Sequence, residues 1–225
     1  MTQKNIALLL ETKLQTLGYF LQGNMEPEEV GLMLDNKTSD FIDEVLAGLR
    51  RAEVNGGSFE SNSLRLDELR MLKVTSDPIT PESGATDGQS WFELPDDYRD
   101  YIVIKTTVST DCLTSDVVKK ARVIQSDELQ DLLDDTYHTT KIESPVSEIE
   151  DDLVKVYLND FTIPNIRIQY IKKPEKFDVV ANGGNEYPLA DKAIYRIIDK
   201  AVVELAPILE KLQQASQAVS ASKLY

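Results

Sequence analysis

The sequence predicts an α+β protein with helices at its N-terminal end, an antiparallel β region that contains a hairpin, and a long C-terminal helix. Apolar residues recur at helical spacing near both ends of the chain. Between them, alternating apolar and polar residues mark strands, and a segment rich in Pro, Gly, Ser and Thr at 75–90 precedes these strands. Because helices and strands are segregated along the chain, we do not expect parallel βαβ units.

Two amphipathic helical regions are expected before residue 75. The first ends at Gly18, a residue type that commonly terminates helices, and its apolar stripe comprises Ile6, Leu9, Leu10, Leu14 and Leu17. The second begins around Pro27, which a first helical turn tolerates, and the acidic residues beside it complement the helix dipole. The polar residues 35–37 leave open whether this region is one helix or two. Residues 62–74 are interpreted as another short helix or a turn.

The central region contains the first predicted strands. Residues 101–108 are rich in strand-forming side chains, and residues 121–125 form a second, weaker strand. Ser126 is expected to cap a short helix whose first turn is acidic. Residues 134–152, which include Pro145, are interpreted as an acidic loop.

The clearest alternation predicts a β-hairpin. Val154, Val156 and Leu158 face one way along its first strand, and the second strand alternates in the same manner over residues 166–170. The two strands are expected to pair antiparallel, with Asn159–Asn165 as the connecting loop.

The last predicted element is a long helix that has Pro188 in its first turn. Its apolar stripe comprises Ile194, Ile197, Ile198, Ala201, Val202, Leu205, Leu209 and Leu212. A kink or a break is expected at Pro207, because Pro lacks an N–H group and clashes with the preceding turn. We therefore divide the chain into a helical region (1–75), a mainly antiparallel β region (76–187), and a C-terminal helix with a tail (188–225), all within one integrated domain.

The charge balance disfavours one class of function. The chain of 225 residues has 39 acidic and 24 basic residues, which gives a formal net charge of −15. Such a surface repels phosphate backbones, because nucleic-acid binding depends on Lys and Arg residues that release counterions. A protein that grips DNA is therefore disfavoured. Two interpretations stay open: the charge serves solubility, or it keeps the surface from adhering to DNA that passes nearby.

No residue pattern indicates an active site, a metal site or a cofactor site. His138 is the single histidine and lies in a segment without a nucleophile motif, so we expect a surface position. Cys112 is the single cysteine, which excludes an internal disulfide and, beside one histidine, the common zinc sites. The acidic residues at 148–152 lack the spacing of a calcium loop and are interpreted as solvated. A non-enzyme without cofactors is predicted.

The chain is predicted to be soluble and to carry no export signal. The apolar run at 6–10 is too short for the core of a signal peptide, and charged residues follow it at once. No stretch approaches the ~20 apolar residues that a membrane helix requires. We therefore expect no membrane partner.

Three stretches in a fixed order carry a resemblance to a known family. They are residues 28–35 with Phe41, Ile42 and 64–70; residues 91–98, which run into a strand; and residues 166–174, followed by Tyr187, Pro188, Leu189 and the C-terminal helix. In this order they resemble the head–tail connector proteins of tailed bacteriophages. The resemblance covers residues 26–212 and is closest to the neck ring proteins of crAss-like phages.

The resemblance implies a structural virion protein that forms a ring, commonly a dodecamer, in the neck below the portal. Its partners would be other copies of itself, the portal protein and the next ring or tail protein. DNA would pass through the lumen without sequence-specific binding. Such a subunit would be made in the host cytoplasm and would carry no catalytic residues.

The C-terminal tail is a candidate docking segment, because related adaptors insert a terminal segment against a neighbouring ring. Val219, Leu224 and Tyr225 are its apolar residues, although a frayed terminus explains them equally well. Two alternative functions stay open. The chain is another tail or collar completion subunit, or it is an acidic cellular adaptor or chaperone that binds a basic partner.

Overall fold

The chain folds into two compact units. The computed structural model describes residues 1–19, 26–54, 67–82, 88–110, 115–135 and 139–222. Its helices and sheets confirm the α+β architecture. The helical unit is Met1–Leu72 with Pro174–Tyr225, and the β unit is Lys73–Lys173. Both ends of the chain thus build one unit, whereas residues 1–75 and 188–225 were expected to form separate regions.

Five helices lie in the described residues, and all but α3 belong to the helical unit. They are α1 (Gln3–Thr16), α2 (Pro27–Val54), α3 (Ser126–Asp134), α4 (Val179–Asn182) and α5 (Asp191–Ser222), with a 3-10 turn at Arg70–Leu72. Helix α1 begins where the Thr2 hydroxyl accepts a hydrogen bond from the Asn5 N–H group, at 3.3 Å. It ends before Gly18, whose φ of 85° favours glycine. Helix α2 is one continuous helix, which settles the open question at 35–37.

Helix α5 packs against α1 and α2 through apolar residues flanked by ion pairs. The buried side chains include Ile6, Leu10, Leu14, Leu34, Phe41, Ile42, Ile198, Leu205 and Leu209. Lys13 of α1 pairs with Asp199 of α5, and Glu44 of α2 pairs with Lys200. These pairs are exposed, so the apolar contacts, at about 1.5–3 kcal/mol for each fully buried side chain, dominate the stability of this unit.

A kink or a break was expected at Pro207. Helix α5 is continuous through this residue, so the break is wrong. Pro207 leaves the carbonyl of Val203 without an N–H partner, but both residues are exposed, and water can therefore satisfy that carbonyl. Leu205 and Leu209, on either side of Pro207, are buried and hold the helix in place. The helix begins at Asp191, so Pro188 precedes it and does not occupy its first turn, as was expected.

The β unit contains, within the described residues, two four-stranded sheets. Sheet I has the strand order β1–β8–β3–β4, and sheet II has the order β2–β7–β6–β5. The strands are β1 (Lys73–Thr75), β2 (Gln89–Glu93), β3 (Tyr98–Ser109), β4 (Val117–Lys120), β5 (Arg122–Ile124), β6 (Val146–Glu150), β7 (Leu153–Tyr157) and β8 (Thr162–Lys172). The predicted strands at 101–108 and 121–125 are therefore confirmed as β3 and β5.

The two sheets share one apolar core. Its residues include Phe92, Val154 and Val156 of sheet II and Ile104, Val108, Ile166 and Ile168 of sheet I. Successive side chains of a strand point to opposite sides. Each sheet therefore has an inner face toward this core and an outer face away from it.

The predicted hairpin between β7 and β8 is wrong. Strand β7 lies between β2 and β6 in sheet II, whereas β8 lies between β1 and β3 in sheet I. The chain crosses from one sheet to the other at residues 158–161, where Asp160 has a left-handed φ of 54° and Phe161 is buried in the shared core. The alternation correctly showed which side of each strand is apolar. Because β7 and β8 face the same core from opposite sheets, however, this pattern did not show which strands each of them pairs with.

The expectation that the fold has no parallel βαβ unit is also wrong. Strands β5 and β6 pair in parallel, and α3 lies in the connection between them. Strand β5 has only three residues and begins with an exposed arginine, and nothing in its sequence indicated a parallel partner. The antiparallel hairpin in this sheet joins β6 to β7, with a tight turn at Asp151, whose φ is 51°.

Candidate functional site

A row of positive side chains crosses the outer face of sheet I. Lys105 of β3 is the register partner of Lys120 on β4 and of Arg167 on β8. All three side chains are exposed, whereas the adjacent residues Ile104 and Ile168 are buried in the core. Register partners on neighbouring strands have Cβ atoms about 4.5–5.5 Å apart, so the three cations lie side by side.

Lys105 and Arg167 line a concave surface of about 400 Å³. Its other lining residues are mostly polar: Thr75, Pro78, Thr107, Val118, Asn165 and Gln169. The Thr107 hydroxyl donates to Asn165 Oδ1 at 2.8 Å, which fixes the amide beside the cations. We call this surface, with Lys120 at its edge, the basic groove. Carboxylates or phosphates are the groups that its ammonium, guanidinium and amide groups would bind.

The basic groove opposes the stability of the sheet that forms it. Like charges that lie directly opposite each other on neighbouring strands destabilise a sheet. Within the described part of the chain, Lys105, Lys120 and Arg167 form no ion pair, although acidic residues outnumber basic ones by 39 to 24. Because these cations have no ion pair in the described residues, the basic groove is a candidate binding surface for an anionic group.

Helix α3 covers part of the outer face of sheet II. Its residues Leu129 and Leu132 pack with Ile124 of β5, Val146 of β6 and Tyr157 of β7. Val123 and Val156, which are adjacent in sequence to Ile124 and Tyr157, contribute to the core shared with sheet I. Helix α3 therefore lies on the side of sheet II that is away from sheet I.

A buried carboxylate connects the start of α3 to sheet II. Glu148 is 4% exposed and accepts hydrogen bonds from the Ser126 hydroxyl and from Tyr157 Oη, the latter at 2.8 Å. Burial and the hydrogen bond to Glu148 raise the pKa of the Tyr157 phenol. The prediction that Ser126 caps α3 is wrong, because Gln125 occupies the N-cap position and the Ser126 hydroxyl bonds the carboxylate instead. Glu148 thus has a structural role.

The start of α3 presents a negative surface. Asp127 and Glu128 are exposed, and the segment 126–135 contains five carboxylates and no Lys or Arg. The acidic residues at a helix N-terminus also interact favourably with the helix dipole, which helps to explain their position.

The predicted acidic loop at 134–152 is wrong for its second half. Residues Val146–Glu150 form strand β6, where Glu148 is buried and Glu150 pairs with Lys155. The acidic cluster at 148–152 is therefore not a uniformly solvated surface. Strand β6 was not predicted because its acidic residues look like solvated loop residues in the sequence. In the structure Glu148 lies at the interface with α3, and Glu150 pairs with Lys155.

The apolar stripe of α5 continues beyond the part that is packed. Leu205 and Leu209 are buried, but Leu212, the next residue on the same stripe, is 41% exposed, and Ile208 is 46% exposed. The helix continues to Ser222, and a rise of 1.5 Å per residue makes this extension about 15 Å long. In the sequence Val219 follows Leu212 at the spacing that separates Leu212 from Leu205.

Several residues singled out in the sequence lie outside the described residues. They are Cys112, His138, Leu224 and Tyr225, whereas Val219 lies in the described backbone of α5. In the ranges that the structure describes, no three His, Cys, Asp or Glu side chains are grouped in a way that could hold a metal ion. The helices in these ranges also include none that is long and apolar enough to cross a membrane.

A second concave surface, of about 380 Å³, lies in the helical unit beside the start of α2 and α4. Leu32 and Val180 are exposed on it. Burial raises the pKa of Asp35 in this surface, against the lowering effect of the Phe177 N–H group that donates to it at 2.7 Å. The carboxylate therefore serves to position the segment before α4.

No protein-family model matches the chain, and no curated protein matches it. The resemblance to connector proteins therefore stays a prediction that rests on the sequence stretches that carry it. The surfaces of the two units are the remaining basis for a function.

The basic groove was not predicted from the sequence. Lys105, Lys120 and Arg167 are distant in the chain, and the strand order of sheet I brings them together. One signal was present: Lys105 and Arg167 interrupt apolar runs at positions that alternate with core residues. Strand alternation predicts such residues on a solvent face, but only the register makes them neighbours.

Proposed function

We propose that this chain is a structural, non-catalytic subunit that forms a ring in the head–tail connector of a tailed bacteriophage, below the portal. The observation that carries the proposal is the exposed continuation of the apolar stripe on α5. A helix whose apolar stripe extends past its own core, as at Leu212, suits docking against a neighbouring protein. The partners in this proposal are other copies of the chain, the portal protein and the next ring or tail protein.

The acidic balance of the chain supports a place beside DNA in transit. A net charge of −15 leaves few cations to grip phosphates, so DNA would move past the ring without being held. The proposal places the subunit in the virion neck after synthesis in the host cytoplasm. The docking segment comprises Ile208, Leu212 and the residues after them, including Val219, Leu224 and Tyr225.

Polar substitutions on the exposed stripe test the docking role of α5. The double variant Ile208→Ser/Leu212→Ser should bind portal rings at least tenfold more weakly, because each apolar side chain contributes up to about 1.5–3 kcal/mol when it becomes buried. The measurement is co-sedimentation of the full-length chain with purified portal rings. The monomer should keep its circular dichroism spectrum, since both side chains are already exposed.

The matched control is Val203→Ser, an exposed position on a different side of the same helix. It should bind portal rings as the unchanged chain does. Equal binding by the control and the double variant would contradict the docking role of α5. Binding to tail rings but not to portal rings would assign the chain to a tail or collar completion subunit.

A further inference from the structure

We propose that the basic groove of the β unit binds helix α3 of a second copy of this chain. The proposal rests on the proposed function and deepens it, because it names the contact between neighbouring subunits of the ring. The groove is the binding site, and the exposed carboxylates at the start of α3 are its ligands.

The two surfaces lie on opposite sides of one β unit. The basic groove is on the outer face of sheet I, and α3 is on the outer face of sheet II, with the shared core between them. Sheets that pack face to face are about 10 Å apart, so the groove does not reach the α3 helix of its own molecule. A second copy brings the two kinds of surface together.

Charge complementarity selects this occupant. The groove presents Lys105, Lys120 and Arg167, and the start of α3 presents Asp127 and Glu128. Neither carboxylate forms an ion pair within the described residues. Ammonium and guanidinium groups bind carboxylates through short, charge-assisted hydrogen bonds, so both sets of charges gain partners in the contact. The repulsion within the row of cations is relieved at the same time.

A nucleic-acid backbone is another extended anion, and its phosphates could also bind the cations of the basic groove. The net negative charge of the chain disfavours this occupant. A molecule with a net charge of −15 repels a polyanion at long range. A second copy is also negative, but it presents a limited number of carboxylates at one place on its surface. Two copies should therefore associate weakly in free solution and more strongly where a template holds them side by side.

The proposed contact is head-to-tail, the kind from which a ring can be built. Because the groove and α3 are different surfaces, each copy binds one neighbour through its groove and another through its helix. Such a head-to-tail contact generates a closed ring when the rotation between copies closes, and a filament when it does not.

Two charge-reversal variants test the proposal. The groove variant is Lys105→Glu/Arg167→Glu, and the helix variant is Asp127→Lys/Glu128→Lys. Each variant alone should self-associate roughly tenfold or more weakly than the unchanged chain, because its contact then joins like charges. A mixture of the two should associate again, because every groove meets a helix of opposite charge. Sedimentation velocity over a range of protein concentrations measures the association, and carbodiimide cross-linking identifies the joined residues.

The control for net charge is Lys4→Glu/Lys192→Glu, two exposed lysines of the helical unit. It should self-associate as the unchanged chain does. The groove variant should remain folded with a melting temperature close to that of the unchanged chain, because the charges at 105 and 120 become opposite while those at 105 and 167 stay alike. Helix-variant folding is checked by circular dichroism.

The proposal is overturned if the mixture fails to associate while both variants are folded, or if no cross-link joins the groove to α3 in the unchanged chain. It is also overturned if the groove variant loses binding to a DNA fragment and keeps its self-association, which would assign the groove to nucleic acid. Portal co-sedimentation is scored separately. Portal binding without groove–helix pairing rejects this contact alone, and pairing without portal binding rejects the proposed function alone.

Discussion

Gly31 illustrates how a close contact overrides helix propensity. Ala is favoured over Gly inside a helix by about 0.5–1 kcal/mol. At this position, however, a Cβ atom would lie 2.8 Å from the carbonyl oxygen of Phe177, which is backbone and cannot rotate away. The glycine therefore permits α2 to approach the segment before α4.

Gly31→Ala should destabilise the protein although it improves helix propensity. We expect the free energy of unfolding to fall by about 1–3 kcal/mol, the usual cost of overpacking. Urea denaturation followed by circular dichroism measures it. Gly184→Ala is the control, because an added Cβ there meets open space, and it should change stability by less than about 0.5 kcal/mol. A stabilised Gly31→Ala variant would show that the contact is absent.

The buried phenol of Tyr170 should make stability fall at high pH. Burial, with the hydrogen bond from its Oη to Asp97 at 2.7 Å, raises the pKa of Tyr170 from 10.0 to about 12. Between these values the folded state binds the proton more tightly than the unfolded state. The protonated phenol of Tyr170 therefore stabilises the folded state fully below pH 10. This contribution to the free energy of unfolding is lost as the pH rises through 12.

Tyr170→Phe tests this dependence. The variant should lose about 1 kcal/mol at neutral pH because the hydrogen bond to Asp97 is removed. Its stability should then decline less steeply than that of the unchanged chain between pH 10 and pH 12. Burial also raises the pKa of Tyr187, to about 12, so part of the decline should remain in the variant. Urea midpoints across this pH range give the result, and identical slopes would refute the assignment to Tyr170.

Helix α5 accommodates a proline in its interior. Pro207 removes one backbone hydrogen bond, and the buried neighbours Leu205 and Leu209 keep the helix continuous. Pro207→Ala restores that bond, so we expect a gain of about 1–2 kcal/mol in the free energy of unfolding, less than the full cost of a buried proline because water reaches the site. Thermal unfolding measures the gain. A loss of stability would mean that the helix depends on the geometry that Pro207 imposes.

The elements differ in how far their sequences reveal them. Helices α1, α2 and α5 were predictable because their apolar residues recur at helical spacing over several turns. Strand β6 was missed because its polar residue Glu148 is buried by hydrogen bonds to Ser126 and Tyr157 rather than exposed. Such partners come from distant parts of the chain, and a local pattern does not contain them.

Strand pairing was the main feature that the sequence did not determine. The alternation in β7 and β8 correctly identified two strands that are close in sequence, and it led to a hairpin because short connections usually join paired strands. The left-handed Asp160 instead turns the chain across the core. The pairing of β3 with β4 and β8 in sheet I also brings the cations of the basic groove together. Because that pairing was not predicted, the candidate site was not predicted either.

The two units contribute different surfaces to the proposed assembly. The helical unit presents the exposed stripe of α5, which suits an apolar surface on a neighbouring protein. The β unit presents a basic groove on one outer face and an acidic helix on the other, which suits a second copy of the chain. A subunit in a stacked ring needs both kinds of contact, one within the ring and one to the next ring.

The mass of the purified full-length chain, alone and mixed with portal rings, is the most direct test of the proposed function. Light scattering gives it without a label. A chain that joins the portal as a complex of fixed stoichiometry, with several copies on each portal ring, is the expected result. A chain that stays monomeric and leaves the mass of the portal ring unchanged would contradict the connector function and favour an acidic adaptor with a basic partner.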